Sequence, residues 1–389
     1  MTEKVVGIQP TILKWARESQ GYSIQDVASH LKRDTAEVRD WEAGVSAPTY
    51  AQLEKLAYKL YKRPLAVFFL PQPPAEPNLK QKFRTLPEFE LENLAADTRY
   101  QLRLAQALQL SLAELNDGRN PSERKIFRDR SLTVDPDLRG QTAMVREYLG
   151  IPVQVQAAWQ SNEEALKAWR NAVEEAGVFV FKQAFKQKAI SGFCLLDAEF
   201  PIIFINNSTS KTRQIFSLFH ELGHLLLHVD GISKFDPGYI DKLPQKEKRS
   251  EKFCNAFAAE LLLPSADFDR QVHVGLRMTD EAIRNLASRY RVSREVVLRR
   301  LLDKQFVSKA FYQAKVKDWA AGADLEKEGS GGNYYATQAT YLGERYLQLV
   351  FGKHYQGKLS LEQVADYLGV KTKSVAGLEN LVLRQGGAA

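Results

Sequence analysis

The stretch Ile215-Phe216-Ser217-Leu218-Phe219-His220-Glu221-Leu222-Gly223-His224-Leu225-Leu226-Leu227 decides how this 389-residue chain is read. Its apolar residues recur at helical spacing and wrap a wide surface, which predicts a buried helix. Two histidines four apart on such a helix lie about 40° apart around the axis and roughly 6 Å along it, so both imidazoles can reach one metal ion. Glu221 directly follows the first of them, where its carboxylate can act as general base toward a hydrolytic water. A buried helix carrying two His and a Glu with no common partner loses hydration at every polar group. The competing reading is a pair of hydrogen-bonded core histidines beside an incidental Glu, and the burial cost favours the metal.

A catalytic metal of this kind needs three protein ligands and one open position. The candidate third ligand is Glu251, which opens a helix predicted over residues 251–263 and stopped by Pro264. Spacing leaves a second reading open, that of a solvated first-turn acid favoured by the helix dipole. His228 lies about 12 Å of helix rise beyond His220, too far to share the ion, and is expected to pack or to support the ligands. Glu260 is expected to pair helices, and Tyr239, in a polar stretch, is the candidate group for stabilising an oxyanion.

Around this helix, β-branched and aromatic runs at 178–181, 190–195 and 202–205 predict a small sheet, preceded by a helix over 165–176. The stretch 230–249, with Gly231, Pro237, Gly238 and Pro244, reads as a loop beside the site. Further on, residues 281–289 and 293–302 form a helix–turn–helix-like pair, 324–332 an acidic glycine-rich linker, and 334–351 a helix. Residues 360–368 and 373–381 form another short pair, and both pairs share one logic: helix, a Gly or Arg-Val turn, helix.

The N-terminal part reads as a compact helical unit over 11–70. Ser23 and Asp34 cap its second and third helices, Gly44 stands at a C-cap position, and Pro48 lies just beyond. A stiff proline-rich connector, 71–77, and an amphipathic helix over 91–115 follow.

Composition sets the bounds. The length suggests two to four domains, and 44% hydrophobic residues suffice for their cores. No run approaches the roughly 18 apolar residues that span a bilayer, and the first residues lack a signal-type apolar core, so no membrane association is expected. Two cysteines, Cys194 and Cys254, cannot build a disulfide framework, which fits a cytoplasmic location. The net charge of +7 is uneven: residues 1–85 carry +4, 266–389 carry +5, and the middle −2. An anionic partner is therefore expected at the ends of the chain.

Two resemblances join these observations. Ile190-Ser191-Gly192-Phe193, Ile205-Asn206, the His220–His224 motif and the helix from Glu251 to Pro264 resemble the ImmA/IrrE family of metallo-endopeptidases. The resemblance implies zinc held by His220, His224 and Glu251, with Glu221 as catalytic base; manganese or iron could fill the same donor set. Cys254 stands where that family usually has alanine. Ser23-Ile24-Gln25-Asp26-Val27-Ala28, Val38, Trp41-Glu42-Ala43-Gly44 and Pro48 resemble the XRE (Cro/cI-like) class of helix–turn–helix repressors. That resemblance implies base contacts from Thr35, Ala36, Glu37 and Arg39, and phosphate contacts from Ser23, Gln25 and Lys32. Glu37 and Asp40 place negative charge on that reading helix, so a pure interaction module is the alternative to DNA binding.

The expected architecture is α+β, mainly α: a helix–turn–helix domain over 1–70, a connector and helical linker over 71–160, a zincin-like peptidase domain with a small sheet over 161–310, and a helical region of unassigned role over 311–389. The expected function is a cytoplasmic DNA-binding regulator, in the manner of repressors that dimerise on paired half-sites. Its zinc peptidase would cleave an XRE-type repressor, its own or a partner's. The rivals are a transcription factor whose peptidase-like domain only senses a metal or ligand, and an antitoxin-like interaction protein.

Overall fold

The structure is a computed structural model describing residues 3–74, 94–187, 189–229, 231–234, 240–241, 243–272, 278–323 and 333–386. The chain divides into two compact units, Met1–Leu104 and Ala105–Ala389.

The smaller unit is built from α1 (Pro10–Gln20), α2 (Ile24–Leu31), α3 (Thr35–Ala43) and α4 (Tyr50–Glu54), which runs on into a wider π-helical segment, Lys55–Tyr61. Local chemistry sets the boundaries. Ser23 and Asp26 cap α2 reciprocally, the Asp34 carboxylate accepts from the Ala36 N–H, and Gly44, at φ 79°, closes α3 in the left-handed region. Ile12, Ala16, Val27, Val38, Trp41 and Leu53 form the core. Across it Arg17 of α1 grips Glu42 of α3 with two bonds, Nε to Oε1 at 2.7 Å and Nη2 to Oε2 at 2.9 Å.

The larger unit centres on a four-stranded mixed sheet of order β1-β3-β2-β4, made by β1 (Phe179–Gln183), β2 (Ile190–Leu195), β3 (Ile202–Asn206) and β4 (Gly231–Lys234). β1 runs parallel to β3, pairing Phe179 with Ile202 and Phe181 with Phe204, while β2 is antiparallel to both β3 and β4. Strands β2 and β3 are buried at every position, which is why they read as largely apolar runs without alternation, with Ser191 and Asn206 as their buried polar residues. Helix α10 (Lys211–Leu226) packs against β2 and β3. It is preceded by α5 (Ala96–Leu115), α6 (Ile126–Asp129), α7 (Leu138–Leu149), α8 (Val153–Ala158) and α9 (Asn162–Glu175). It is followed by α11 (Gln245–Leu262), α12 (Ser265–Gln271), α13 (Asp280–Tyr290), α14 (Arg294–Asp303) and α15 (Lys309–Ala323). Ile126, Val145, Leu149 and Trp159, upstream of residue 161, belong to the same core as α10 and α11.

The C-terminal helices are α16 (Tyr334–Leu342), α17 (Glu344–Tyr355), α18 (Leu361–Leu368) and α19 (Val375–Gly386). The single helix expected over 334–351 is two, broken at Gly343, whose φ is 88°. The break makes room for Arg170. This buried guanidinium pairs with Glu174 at 3.0 Å, donates to the Thr340 carbonyl at 2.9 Å and to the Val180 carbonyl, and occupies the space a Cβ at residue 343 would need. Tyr346 of α17 packs edge-on against Phe181 of β1, ring centres 5.3 Å apart. β4 was not expected either; it falls in the stretch read as loop, where four residues of mixed character carry no usable periodicity.

The Arg17–Glu42 pair yields a test. Replacing Arg17 by Met leaves a buried carboxylate uncompensated, which costs about 3–5 kcal/mol. In the full chain, amide exchange over residues 10–61 should speed up accordingly, while exchange over residues 202–226 stays as in the wild type.

Candidate metal centre

Helix α10 begins where Ser210 accepts from the Arg213 N–H and buries Ile215, Leu218, Phe219, Leu222, Leu225 and Leu226 completely. Its packing against α11 depends on Gly223. A Cβ there would stand 3.2 Å from Cys254 Sγ and 3.2 Å from Phe257 Cδ1, so a side chain at this position would make its neighbours give by a few tenths of an ångström. The packing of the two helices delivers Glu251 to the histidines.

His220 Nε2 lies 3.3 Å from one Glu251 oxygen, His224 Nε2 lies 3.1 Å from the other, and the two Nε2 atoms are 3.0 Å apart. Among the described residues these three form the group whose ligand atoms could hold a metal ion, all within 4.8 Å of one another. Four-coordinate zinc with bonds of about 2.0–2.1 Å separates neighbouring donors by about 3.3 Å, a spacing close to these distances, so the donor set suits such an ion. All three side chains are buried. Glu251 stands in the second turn of α11, which begins six residues before it at Gln245; the first-turn acid is Glu247, and the solvated reading of Glu251 does not describe it.

Charge is arranged to match. Burial alone would raise the Glu251 carboxyl pKa, but the imidazoles of His224 and His220 outweigh it and hold the group well below the usual carboxylate range. Burial likewise opposes charging of His224, yet Cys254 and Glu251 beside it raise its pKa well above the ordinary imidazole value. Burial pushes the Cys254 thiol pKa up, against the opposing influence of His224.

Two neighbours escaped the sequence reading. Asn255 Oδ1 lies 3.0 Å from His220 Nδ1; with that nitrogen donating, the Nε2 lone pair is left free to point at the metal. The signal was available, since Asn255 follows Glu251 by one helical turn and so shares its face. Gly192 of β2 lies over Glu221: a Cβ there would meet the Phe204 carbonyl at 2.8 Å and Glu221 Oε1 at 3.5 Å. Glu221 is fully buried.

The other candidates separate cleanly. His228 sits past the end of α10 in a left-handed turn, φ 56°, and is exposed, so it neither packs nor supports the ligands. Glu260 accepts from the Ser265 N–H at 2.8 Å and the Ser265 hydroxyl at 2.7 Å and pairs with Arg300 at 2.6 Å, fastening α11 to α12 and α14. Tyr239 lies outside the described residues. In the N-terminal unit Gln25, Lys32, Ala36 and Arg39 are exposed and Thr35 is half-buried. The Ser23 hydroxyl is engaged with Asp26 at 2.6 Å. Glu37 accepts from Gln52 at 3.3 Å and lies 4.0 Å from Arg33, which offsets part of its charge.

In the metal-free chain the two shifted groups act in opposite pH ranges. Glu251, with its pKa lowered, adds stability above its unfolded value of about 4.3, and this is lost as pH falls through the folded value. His224, with its pKa raised, adds stability below about 6.5, and this is lost as pH rises through the folded value. A metal ion must displace the His224 proton, so zinc affinity should tighten by about tenfold per pH unit below the folded pKa of His224. Competition against a chromophoric chelator from pH 6 to 8 measures this, and an affinity flat in pH contradicts it.

Residues 173–302, from the last turns of α9 to the end of α14, match the family model Peptidase_M78, described as the IrrE N-terminal-like domain. No curated protein matches the chain. The segment that holds His220, Glu221, His224, Glu251 and Asn255 is thus similar to a family of metallopeptidases.

Proposed function

We propose that this chain is a zinc-dependent endopeptidase of the His-Glu-x-x-His type, that its substrate is a repressor of the helix–turn–helix class, and that its N-terminal unit binds duplex DNA. The observation that carries the peptidase reading is the convergence of His220, His224 and Glu251 in one buried cluster, with the Glu221 carboxylate on the same helix as the two histidines. The surrounding segment's similarity to a metallopeptidase family supports it.

Zinc, held by His220, His224 and Glu251, would polarise the scissile carbonyl and acidify the attacking water. The protein's own groups do the rest. Asn255 fixes the His220 ring, and the close packing at Gly223 keeps Glu251 within reach of both imidazoles. Glu221 takes the proton from the water as it attacks and returns it to the departing amine. A buried, water-poor setting strengthens each of these electrostatic contacts.

The repressor-cleavage reading rests on the pairing, in one chain, of this cluster with a unit built as a capped helix–turn–helix around Val27, Val38 and Trp41. No helix among the described residues is long and apolar enough to cross a membrane. A cytoplasmic location, where Cys194 and Cys254 stay reduced, belongs to the same proposal.

Glu221→Gln should keep about one zinc per chain and lose about 10²–10⁴-fold in cleavage rate. Glu251→Gln and His224→Ala should lose the metal. Metal content and cleavage of purified repressors, including the chain's own N-terminal unit, measure both. A wild type that holds zinc yet cuts nothing would sink the peptidase reading in favour of a metal or ligand sensor.

A further inference from the structure

The sequence of α2 and α3 recurs in the C-terminal helices. Ser23, Val27, Ala28, Leu31, Thr35 and Val38 are matched, at one fixed offset, by Ser360, Val364, Ala365, Leu368, Thr372 and Val375. The geometry recurs with it. Ser23 and Ser360 each cap a helix reciprocally with the residue three further on. Each of these helices ends on a left-handed residue, Lys32 at φ 55° and Gly369 at φ 62°. The next amide then folds back in the same way, Arg33 to the Ala28 carbonyl at 2.9 Å and Val370 to the Ala365 carbonyl at 3.0 Å. Val38 and Val375 are equally buried. Even the tie from the preceding helix is repeated: Arg17 of α1 holds Glu42, and Tyr355 at the end of α17 donates to Glu379 at 2.5 Å.

A third pair shows what a closed version looks like. α13 and α14 share the turn, with Arg291 at φ 52° and the Val292 amide donating to the Ala287 carbonyl at 3.0 Å. There the second helix is covered by α15: Arg294 lies over the Trp319 ring at 4.7 Å, and Lys315 of α15 holds Asp280 at 2.9 Å. The second helix of the C-terminal pair packs on α16, the Tyr335 ring filling the space a Cβ at Gly377 would need, and leaves Lys371, Thr372, Lys373, Ala376 and Asn380 exposed. Its charge also differs from that of the N-terminal pair. Over residues 32–40 three basic and three acidic side chains cancel; over 369–377 the charged residues are Lys371 and Lys373 alone. The acids of this pair's first helix, Glu362 and Asp366, lie on α18.

We propose that residues 360–380 are a second helix–turn–helix that binds duplex DNA, with the segment from Thr372 onward in the major groove and Lys371 and Lys373 on backbone phosphates. The chain then carries two such units; this one rests on reading the N-terminal pair as a DNA-binding helix–turn–helix and is independent of the peptidase reading.

The test uses the full chain and a labelled 30-base-pair duplex of arbitrary sequence, followed by fluorescence anisotropy at several salt concentrations. Each phosphate contact contributes about 0.9 to the slope of log affinity against log salt. Raising salt from 50 to 200 mM should therefore weaken the wild type by about tenfold more than K371A/K373A. The K371R/K373R variant should restore wild-type behaviour, and circular dichroism should show both variants folded. Unchanged affinity and slope in K371A/K373A overturns the proposal. So does a loss that the arginine variant fails to restore, or a wild type that binds no duplex at low salt. Arg39→Ala, measured in parallel, reports on the N-terminal unit alone: weakening in R39A without weakening in K371A/K373A leaves that reading standing and removes this one.

Discussion

The close approach of α10 and α11 at Gly223 is the constraint on which the rest depends. With a side chain at that position Cys254 and Phe257 would have to give by a few tenths of an ångström, on the same helix that brings the Glu251 carboxylate to the two imidazoles. Everything around the contact serves to hold it. Leu218, Leu222, Leu225, Phe257, Ala258 and Leu261 are fully buried in one core, and Glu260 with Arg300 fastens the far end of α11. The buried charges there are offset by neighbours: Asn255 on His220, Cys254 and Glu251 on His224.

Much of this was legible in the sequence because it is local. The two histidines and Glu221 occupy one turn of a helix whose apolar spacing is unambiguous, and the three strands expected beside it are rich in β-branched and aromatic residues. The caps at Ser23, Asp34 and Gly44 were legible for the same reason, since each is decided within four residues. What the sequence obscured was decided at a distance. Periodicity could not show that α11 begins at Gln245, because its first turns are polar and look like the loop before them. Nor could it show that Gly343 breaks a helix to admit Arg170, a residue 173 positions upstream. His228 was judged as though α10 continued, and a left-handed turn had already ended it.

A left-handed residue followed by a folded-back amide ends many helices among the described residues, and the surroundings of three of them, α2, α13 and α18, differ. In the N-terminal pair the second helix is clamped by Arg17 and carries balanced charge; in α13–α14 it is packed against α15; at the C-terminus it packs on α16 through Gly377 and leaves a face with two lysines exposed. A shared backbone geometry thus leaves function to be set by what covers the second helix and which charges it shows.

Arg170 has a consequence for the order in which the chain can fold as it is made. The donors of this buried guanidinium are satisfied by Glu174 and Val180 nearby, but also by the Thr340 carbonyl, 170 residues later. His220, His224 and Glu251, by contrast, fall within 32 consecutive residues. During synthesis the cluster's helices are therefore complete well before α16 and α17 exist to cover β1. Until those helices leave the ribosome, Phe181 and part of the Arg170 charge have no partner from them, and the nascent chain carries an uncovered apolar strand. This long-range closure adds to the contact order of the larger unit and makes the covering of β1 wait for α16 and α17.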